Sequence, residues 1–284
     1  MSLEVFKKSI AQQTIPAFLY GTAWKEESTQ ECVFNALGAG FTGIDTANQR
    51  KHYFEEGVGL GLQQFLASNN KTRKDLFLQT KFTFSPGQDH RKPYNEQDPL
   101  HQQVMQSFES SLNHLQTDYI DSYILHGPFF MVGLCKEDWE AWSAMEEILQ
   151  AKKVNFLGIS NVNLSQLKEL YQNAKIKPTF VQNRCFAVRK WDKEVRDFCK
   201  EQCIVYQGFS LLTANYQYLV TSFMQTLMHK YHKTIPQIIF RFTLQSGMLP
   251  LTGTTNLQHM CEDLDLDNFE LSASEIEQIE NIAG

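Results

Sequence analysis

Short apolar runs of strand length alternate along the chain with longer stretches in which apolar positions recur every three or four residues. The runs are AFLYG (17–21), FTGID (41–45), LFLQTK (76–81), YIDSYILH (119–126), VNFLGIS (154–160), TFVQN (179–183), IVYQGFS (204–210) and GMLPLTG (247–253). Their spacing suits repeated strand-helix units of about 30 residues. The stretches between them carry helix start and stop signals. Ser28 with Glu31 forms a capping-box pattern ahead of the apolar face Cys32, Val33, Ala36 and Leu37, and Gly40 suits a left-handed stop. Val104, Phe108, Leu112 and Leu115 make a second such face, while Asn163 with Gln166 and Ser272 with Glu275 repeat the start signal.

Strands that alternate with helices this regularly predict a parallel sheet, either closed into a (β/α)8 barrel or open and doubly wound. An open sheet that binds a dinucleotide carries GxGxxG in a strand-to-helix turn. The only glycine cluster, Gly57, Gly59 and Gly61 in GVGLGL, has a different spacing and lies inside a helical pattern. The expectation is therefore a single α/β domain over residues 1–284, a (β/α)8 TIM barrel. The polar segment SPGQDHRKPYNEQDP (85–99) is predicted to be a long loop over one face.

Charge and cysteine usage narrow the partners. A net charge of −6 over 284 residues argues against a duplex-binding surface, which needs clustered Lys and Arg, so no nucleic acid is expected. The first residues, MSLEVFKKSIAQQT, lack the apolar region of a signal peptide, and no segment has the length a bilayer needs. A soluble, cytoplasmic protein with no membrane partner is expected. The cysteines Cys32, Cys135, Cys185, Cys199, Cys203 and Cys261 show neither CxxC pairs nor metal-ligand spacing, so reduced thiols and no metal are expected. Cys199 and Cys203, four apart on a predicted helix, read as small buried side chains.

In a closed barrel the active site forms at the carboxyl ends of the strands. Those ends carry Gly21 and Thr22, then Asp45, Lys81, His126, Ser160 with Asn161, Gln182 with Asn183, Phe209 with Ser210, and Thr252, Thr254 and Thr255. Each residue alone is more often a loop cap, a solvated lysine or a turn histidine. An Asp, a Lys and a His at three consecutive strand ends in one mouth reverse that balance. An ammonium beside a phenol favours the phenolate, and a carboxylate keeps the ammonium charged. Lys81, held by Asp45, is expected to lower the pKa of Tyr53, which would then give its proton to a carbonyl oxygen held by His126.

In YGTAWK, GIDTA, LFLQTK, DYIDSYILHGP, LGISN, VQN and FELS, in this order over nearly the whole chain, the sequence resembles the aldo-keto reductases. The resemblance implies a barrel that uses NADPH to reduce aldehydes or ketones. Tyr53 would be the general acid, Lys81 and Asp45 its tuning pair, and His126 the group that orients the carbonyl. Ser160, Asn161 and Gln182 would hold the nicotinamide carboxamide, and Phe209 would stack on its ring. Ser210 and Leu212 would approach the pyrophosphate. Asp45, together with Gly21, Thr22, Thr252, Thr254, Thr255 and His259, would complete the cofactor groove. The substrate pocket would take Trp24, Phe82, His126, Phe129 and Phe130, and a monomer acting on a small carbonyl compound is expected.

Two departures stand out. The family usually sets its tyrosine closer to the strand-end aspartate, and at that nearer position this chain has Arg50. The lysine and arginine that usually grip the 2′-phosphate fall at Gly253 and His259, so weak discrimination between NADPH and NADH is expected. Two other readings stay open: a cofactor-binding regulatory barrel with little turnover, kept alive by the altered loop before Tyr53, and an aldolase-like barrel with Lys81 as Schiff-base nucleophile.

Overall fold

The computed structural model describes Glu4, residues 7–10 and residues 13–284. Eight parallel strands close into a barrel: β3 (Leu19–Gly21), β4 (Gly43–Asp45), β5 (Phe77–Phe82), β6 (Ile120–Leu125), β7 (Val154–Ser160), β8 (Phe180–Arg184), β9 (Val205–Phe209) and β10 (Leu249–Thr252). They pair in chain order, and β10 closes the circle against β3 through Leu251 and Leu19. All eight predicted strands are present. A preceding antiparallel hairpin, β1 (Lys8–Ile10) with β2 (Gln13–Ile15), lies outside the barrel circuit.

Helices follow the strands: α1 (Thr29–Ala39), α2 (Glu55–Ser68), α3 (Leu100–Leu115), α4 (Lys136–Gln150), α5 (Leu164–Asn173) and α6 (Lys193–Glu201) come first. They continue with α7 (Tyr216–Leu219), α8 (Ser222–Tyr231), α9 (Ile235–Gln245), α10 (Leu257–Leu264) and α11 (Ala273–Glu280). Asn163 and Ser272 cap α5 and α11 with full capping boxes, and Gly40 stops α1 in the left-handed region at φ 117°. The expected box at Ser28 does not form. A 3-10 turn over Glu26–Ser28 runs straight into α1, so Ser28 is already helical and its hydroxyl donates to the Lys25 carbonyl at 2.5 Å. Cys199 is buried as expected, but Cys203 is exposed just past α6.

The barrel interior changes character along its axis. Side chains two apart on a strand share a face, so Phe77, Gln79 and Lys81 on β5 rise in sequence through the interior, as do Phe180 and Gln182 on β8 and Val205 and Gln207 on β9. The lower positions belong to an apolar cluster that includes Leu19, Phe77, Phe156, Phe180, Val205 and Leu249. Ile15 of the hairpin is fully buried in this cluster, Ile10 packs against it, and Lys8 Nζ donates to the Gly247 carbonyl ahead of β10. The hairpin thus covers the amino end of the barrel. Above the apolar floor the next inward positions, Asp45 on β4, Gln79 and Lys81 on β5, Gln182 on β8 and Gln207 on β9, are polar. Among the described residues, no helix is long and apolar enough to cross a membrane.

The glycines of GVGLGL are helix-packing residues. A Cβ on Gly59 would lie 2.0 Å from the His114 carbonyl oxygen of α3, and one on Gly61 would lie 2.6 Å from the Gln30 carbonyl oxygen of α1. Helix α2 is therefore wedged between its neighbours at backbone contact. Gly59→Ala should destabilise the protein: overpacking costs about 1–3 kcal/mol, which exceeds the roughly 1 kcal/mol that alanine gains over glycine in a helix. Gly38→Ala, where nothing lies within 4 Å, should stabilise instead. Urea denaturation midpoints check both, and a Gly59→Ala midpoint at or above wild type would show that α2 moves off α3 at little cost.

Candidate active site

Asp45 ends β4 and Lys81 lies one residue before the end of β5, and they meet inside the barrel. Lys81 Nζ donates to Asp45 Oδ1 at 2.7 Å, to Oδ2 at 2.8 Å and to the Thr46 carbonyl at 2.7 Å. Its three protons are therefore all committed, and its side chain is fully buried. Burial lowers the Lys81 pKa, while the charge and hydrogen bonds of Asp45 oppose this. Asp45 Oδ1 also accepts from Gln79 and Gln182, so the carboxylate takes four hydrogen bonds from the protein.

Tyr53 reaches this pair although its loop is longer than the resemblance leads one to expect. The segment after Asp45 folds back on itself: Thr46 and Asn48 donate their N–H groups to Gln79 and Lys81 of β5, extending the sheet edge, and Gln49 O then accepts from His52 N and Tyr53 N in a tight turn. Gln49 Nε2 bonds the Gly87 carbonyl, Asn48 Nδ2 bonds Ser107 O, and Arg50 pairs with Glu26. The turn is pinned on three sides. Just beyond it, buried Glu55 accepts from Thr80 Oγ1 on β5 and meets His114 Nδ1 of α3 at 3.1 Å. Arg50, at the tyrosine's usual position, is thus a turn residue, and the Tyr53 ring sits with its centroid 5.3 Å from Lys81 Nζ and 5.9 Å from the His126 ring.

The electrostatics differ from the sequence expectation in sign. The Tyr53 pKa lies well above its ordinary value, first because of burial and second because of the Asp45 charge. The expected lowering by Lys81 is absent because Asp45 neutralises the ammonium and occupies its donors. The phenol is accordingly protonated at physiological pH. His126 is pushed down to about 3 by burial, then by Lys81 and His52, and is neutral. Its Nδ1 lies 2.7 Å from Thr83 Oγ1, and its backbone is fixed by Phe82 O and by Asn161 Nδ2.

Above these groups opens a cleft of about 1080 Å³ whose lining includes Asp45, Tyr53 and His126. Gly21, Ser160, Asn161, Gln182, Phe209, Ser210 and Leu212 line it too, as do Thr252, Thr254, Thr255 and His259. Ser160 Oγ donates to Gln182 O and receives Asn161 Nδ2, so the three predicted carboxamide contacts form one connected edge. Asn161 and Ser210 adopt left-handed backbone, at φ 52° and 55°. Trp24 and Phe129 also line the cleft. Four predicted residues do not, the first being Lys81, which is fully buried on Asp45. Phe82, one position past inward-facing Lys81, points outward and packs fully buried against Phe84 and Tyr94. Thr22 is buried with its N–H and hydroxyl on Asp45 O. Phe130 is exposed at the rim, edge-on to Phe129.

Several lining residues were missed. Lys25 is buried and donates to Gly253 O at 2.6 Å, and Arg184 lies over the Phe209 ring with no ion pair among the described residues. His52 stacks on Trp24 at 4.0 Å. Asp263, whose carboxyl is raised to about 6 by burial, accepts from Thr252 Oγ1. Signals existed: Lys25 closes YGTAWK, Arg184 directly follows TFVQN, and Asp263 stands one helical turn after His259. The polar loop 85–99 lies over the mouth as expected, tied down by Tyr94 to Thr83 O and by Gln88 to Asn48 O.

The sequence profile of the aldo/keto reductase family matches residues 17–283, and the chain belongs to this family. It is 32% identical over 250 residues to the glyoxal reductase of Bacillus subtilis (strain 168), covering 88% of this chain and 82% of that protein. It is 30% identical to the NAD/NADP-dependent indole-3-acetaldehyde reductase of Schizosaccharomyces pombe, covering 93% and 90%. The crystal structure of the Bombyx mori aldo-keto reductase AKR2E4 in complex with NADP superposes with a TM-score of 0.81 at 24% identity, covering 97% of this chain and 92% of that one.

The anchor behind Tyr53 is pH-sensitive. Burial lowers the His114 pKa, but hydrogen bonding and charge from Glu55, aided by Glu56, outweigh it and leave the pKa raised. A raised folded value means that the stabilisation is full below the unfolded pKa of about 6.5 and is lost as pH rises through the folded value. The melting temperature of wild type should therefore exceed that of His114→Gln near pH 5.5, and the gap should close towards pH 9, a window of about 3.5 units chosen from these ordinary pKa values. A gap that widens with pH would mean that His114 is neutral in the fold.

Proposed function

We propose that this chain reduces aldehydes or ketones to alcohols, with NADPH as reductant, NADH as a usable substitute, and Tyr53 as general acid. The observation that carries the reading is the meeting of a protonated tyrosine, a buried lysine and a neutral histidine at the floor of one open cleft. The reduced nicotinamide, when bound, supplies the two-electron reduction. Tyr53 donates its proton to the carbonyl oxygen. Its high pKa keeps it protonated until charge builds on that oxygen, and Lys81, paired with Asp45 beside the ring, offsets the aspartate charge that would otherwise oppose loss of the proton. His126, in the tautomer whose Nδ1 accepts from Thr83, would present its Nε2–H to the same oxygen and fix the carbonyl's direction. Trp24 and Phe129, together with Phe84, offer an aromatic wall to hydrophobic carbonyl compounds.

The donor set suits the cofactor. Phe209 presents a ring for stacking, and Ser160, Asn161 and Gln182 present a polar edge to a carboxamide. Lys25 and Arg184 would bring positive charge to the phosphates, Ser210 and Leu212 would approach the pyrophosphate, and Thr252, Thr254, Thr255 and His259 would border the rest of the cofactor. Without cations at positions 253 and 259, preference for the 2′-phosphate rests on hydroxyls and the start of α10, and the name of the Schizosaccharomyces relative supports dual use. Lys81 as a Schiff-base nucleophile is disfavoured because its ammonium is buried and its protons are all committed.

Turnover of a panel of aldehydes with NADPH separates this reading from that of a regulatory barrel, which would oxidise bound cofactor once and stop. Tyr53→Phe should lower turnover by about 10²- to 10⁴-fold, the usual effect of losing a general acid, with NADPH affinity, read by fluorescence titration, almost unchanged. Near-normal turnover in Tyr53→Phe would transfer the acid role elsewhere. Arg184→Ala should weaken NADPH and NADH alike, by about tenfold if one charge-assisted hydrogen bond is lost. An effect on NADPH alone would place Arg184 at the 2′-phosphate instead.

A further inference from the structure

Asp45 Oδ1 collects three hydrogen bonds: from Lys81 Nζ at 2.7 Å, from Gln79 Nε2 at 2.7 Å and from Gln182 Nε2 at 2.9 Å. An ionised carboxylate only accepts, so both glutamines must turn their NH₂ edges towards it. The Gln79 carbonyl oxygen then faces Gln207 and accepts from Gln207 Nε2 at 2.9 Å. Gln207 Oε1 in turn accepts from Gln79 at 2.8 Å and from Gln182 at 2.9 Å. Reversing any one amide would set two oxygens against each other, so the carboxylate dictates the orientation of all three. Gln182 spends both of its N–H protons inside the barrel. Its Oε1, to which no described residue donates, is left for the cleft that Gln182 lines.

Gln79 and Gln207 are fully buried on β5 and β9 and do not themselves reach the cleft. Solvating a carboxylate does not require them both, because Gln207 makes no bond to Asp45. What Gln207 does is hold the second N–H of Gln182 and fix the plane of that amide, which a single bond to Asp45 would leave free to swing. We propose that Gln207, backed by Gln79, is a positioning residue that locks the Gln182 carbonyl towards the cleft, so that the site selects a nicotinamide ring carrying a primary amide donor. This rests on the cofactor reading above.

The test compares two ligands within each protein, so a general loss of stability cancels. Dissociation constants are measured for NADP⁺ and for its 3-acetylpyridine analogue, in which a methyl group replaces the amide NH₂. Wild type should favour NADP⁺ by about fivefold to tenfold, the effect of one hydrogen bond. In Gln207→Met, Gln182 keeps only its bond to Asp45, its amide plane swings about that bond so that Oε1 no longer meets the ligand's NH₂ squarely, and the ratio should fall below about twofold. If that variant does not fold, Gln79→Leu/Gln207→Leu removes both buried amides together and should give the same reduced ratio. A ratio in either variant equal to that of wild type, or no preference in wild type, overturns the proposal: the glutamines then only solvate the barrel interior. Failure of wild type to bind NADP⁺ at all would remove the cofactor reading, and the positioning role with it.

Discussion

The Asp45–Lys81 pair is the constraint around which the rest of the barrel is arranged. Two charges withdrawn from water are unfavourable unless they find partners, and here all three lysine protons and both carboxylate oxygens do. Lysine satisfies itself on two carboxylate oxygens and one carbonyl, and aspartate draws in two glutamine amides from neighbouring strands. The polar layer of the interior exists to meet that demand. It also explains why the phenol above is held as an acid: a lysine already neutralised at contact distance has little left with which to stabilise a resting phenolate.

Placement of Tyr53 is a separate problem, solved by the chain on either side of it. Before the tyrosine, the segment from Thr46 runs along β5 and closes in a turn on Gln49 O. After it, Glu55 ties the start of α2 to Thr80, immediately beside Lys81 in β5. The extra residues of the loop are absorbed in the turn, where Arg50 pairs outward with Glu26 and covers the Phe54 ring. Tight contact of α2 with α1 and α3 through bare glycine backbone keeps that frame from drifting.

Much of this was legible in the sequence because period-two alternation forces it. Once LFLQTK is a barrel strand, Lys81 and Gln79 must face inward together, and Phe82 must face outward; its assignment to the substrate pocket overlooked that rule. Asp45, His126, Ser160 and Gln182 were legible as strand ends. The sign of the Tyr53 shift was not, because it depends on how many of the lysine's protons are already taken, a property of three-dimensional contacts. Nor was the missing cap at Ser28, since capping boxes assume a non-helical residue before the helix and here a 3-10 turn supplies a helical one. The partnership of Gln79, Gln182 and Gln207 joins residues 128 apart in sequence, and no local pattern marks it.

Protons can approach the ion pair from one direction only. The β1–β2 hairpin and the apolar cluster around Phe77, Phe156 and Phe180 seal the barrel from beneath, and the glutamine amides hold their hydrogens in fixed positions rather than passing them on. If Tyr53 surrenders a proton to an alcohol product, Lys81 has no uncommitted one to lend. The replacement must enter from bulk water through the same opening by which the alcohol leaves. Recovery of the phenol's proton and departure of the alcohol would then share a single doorway.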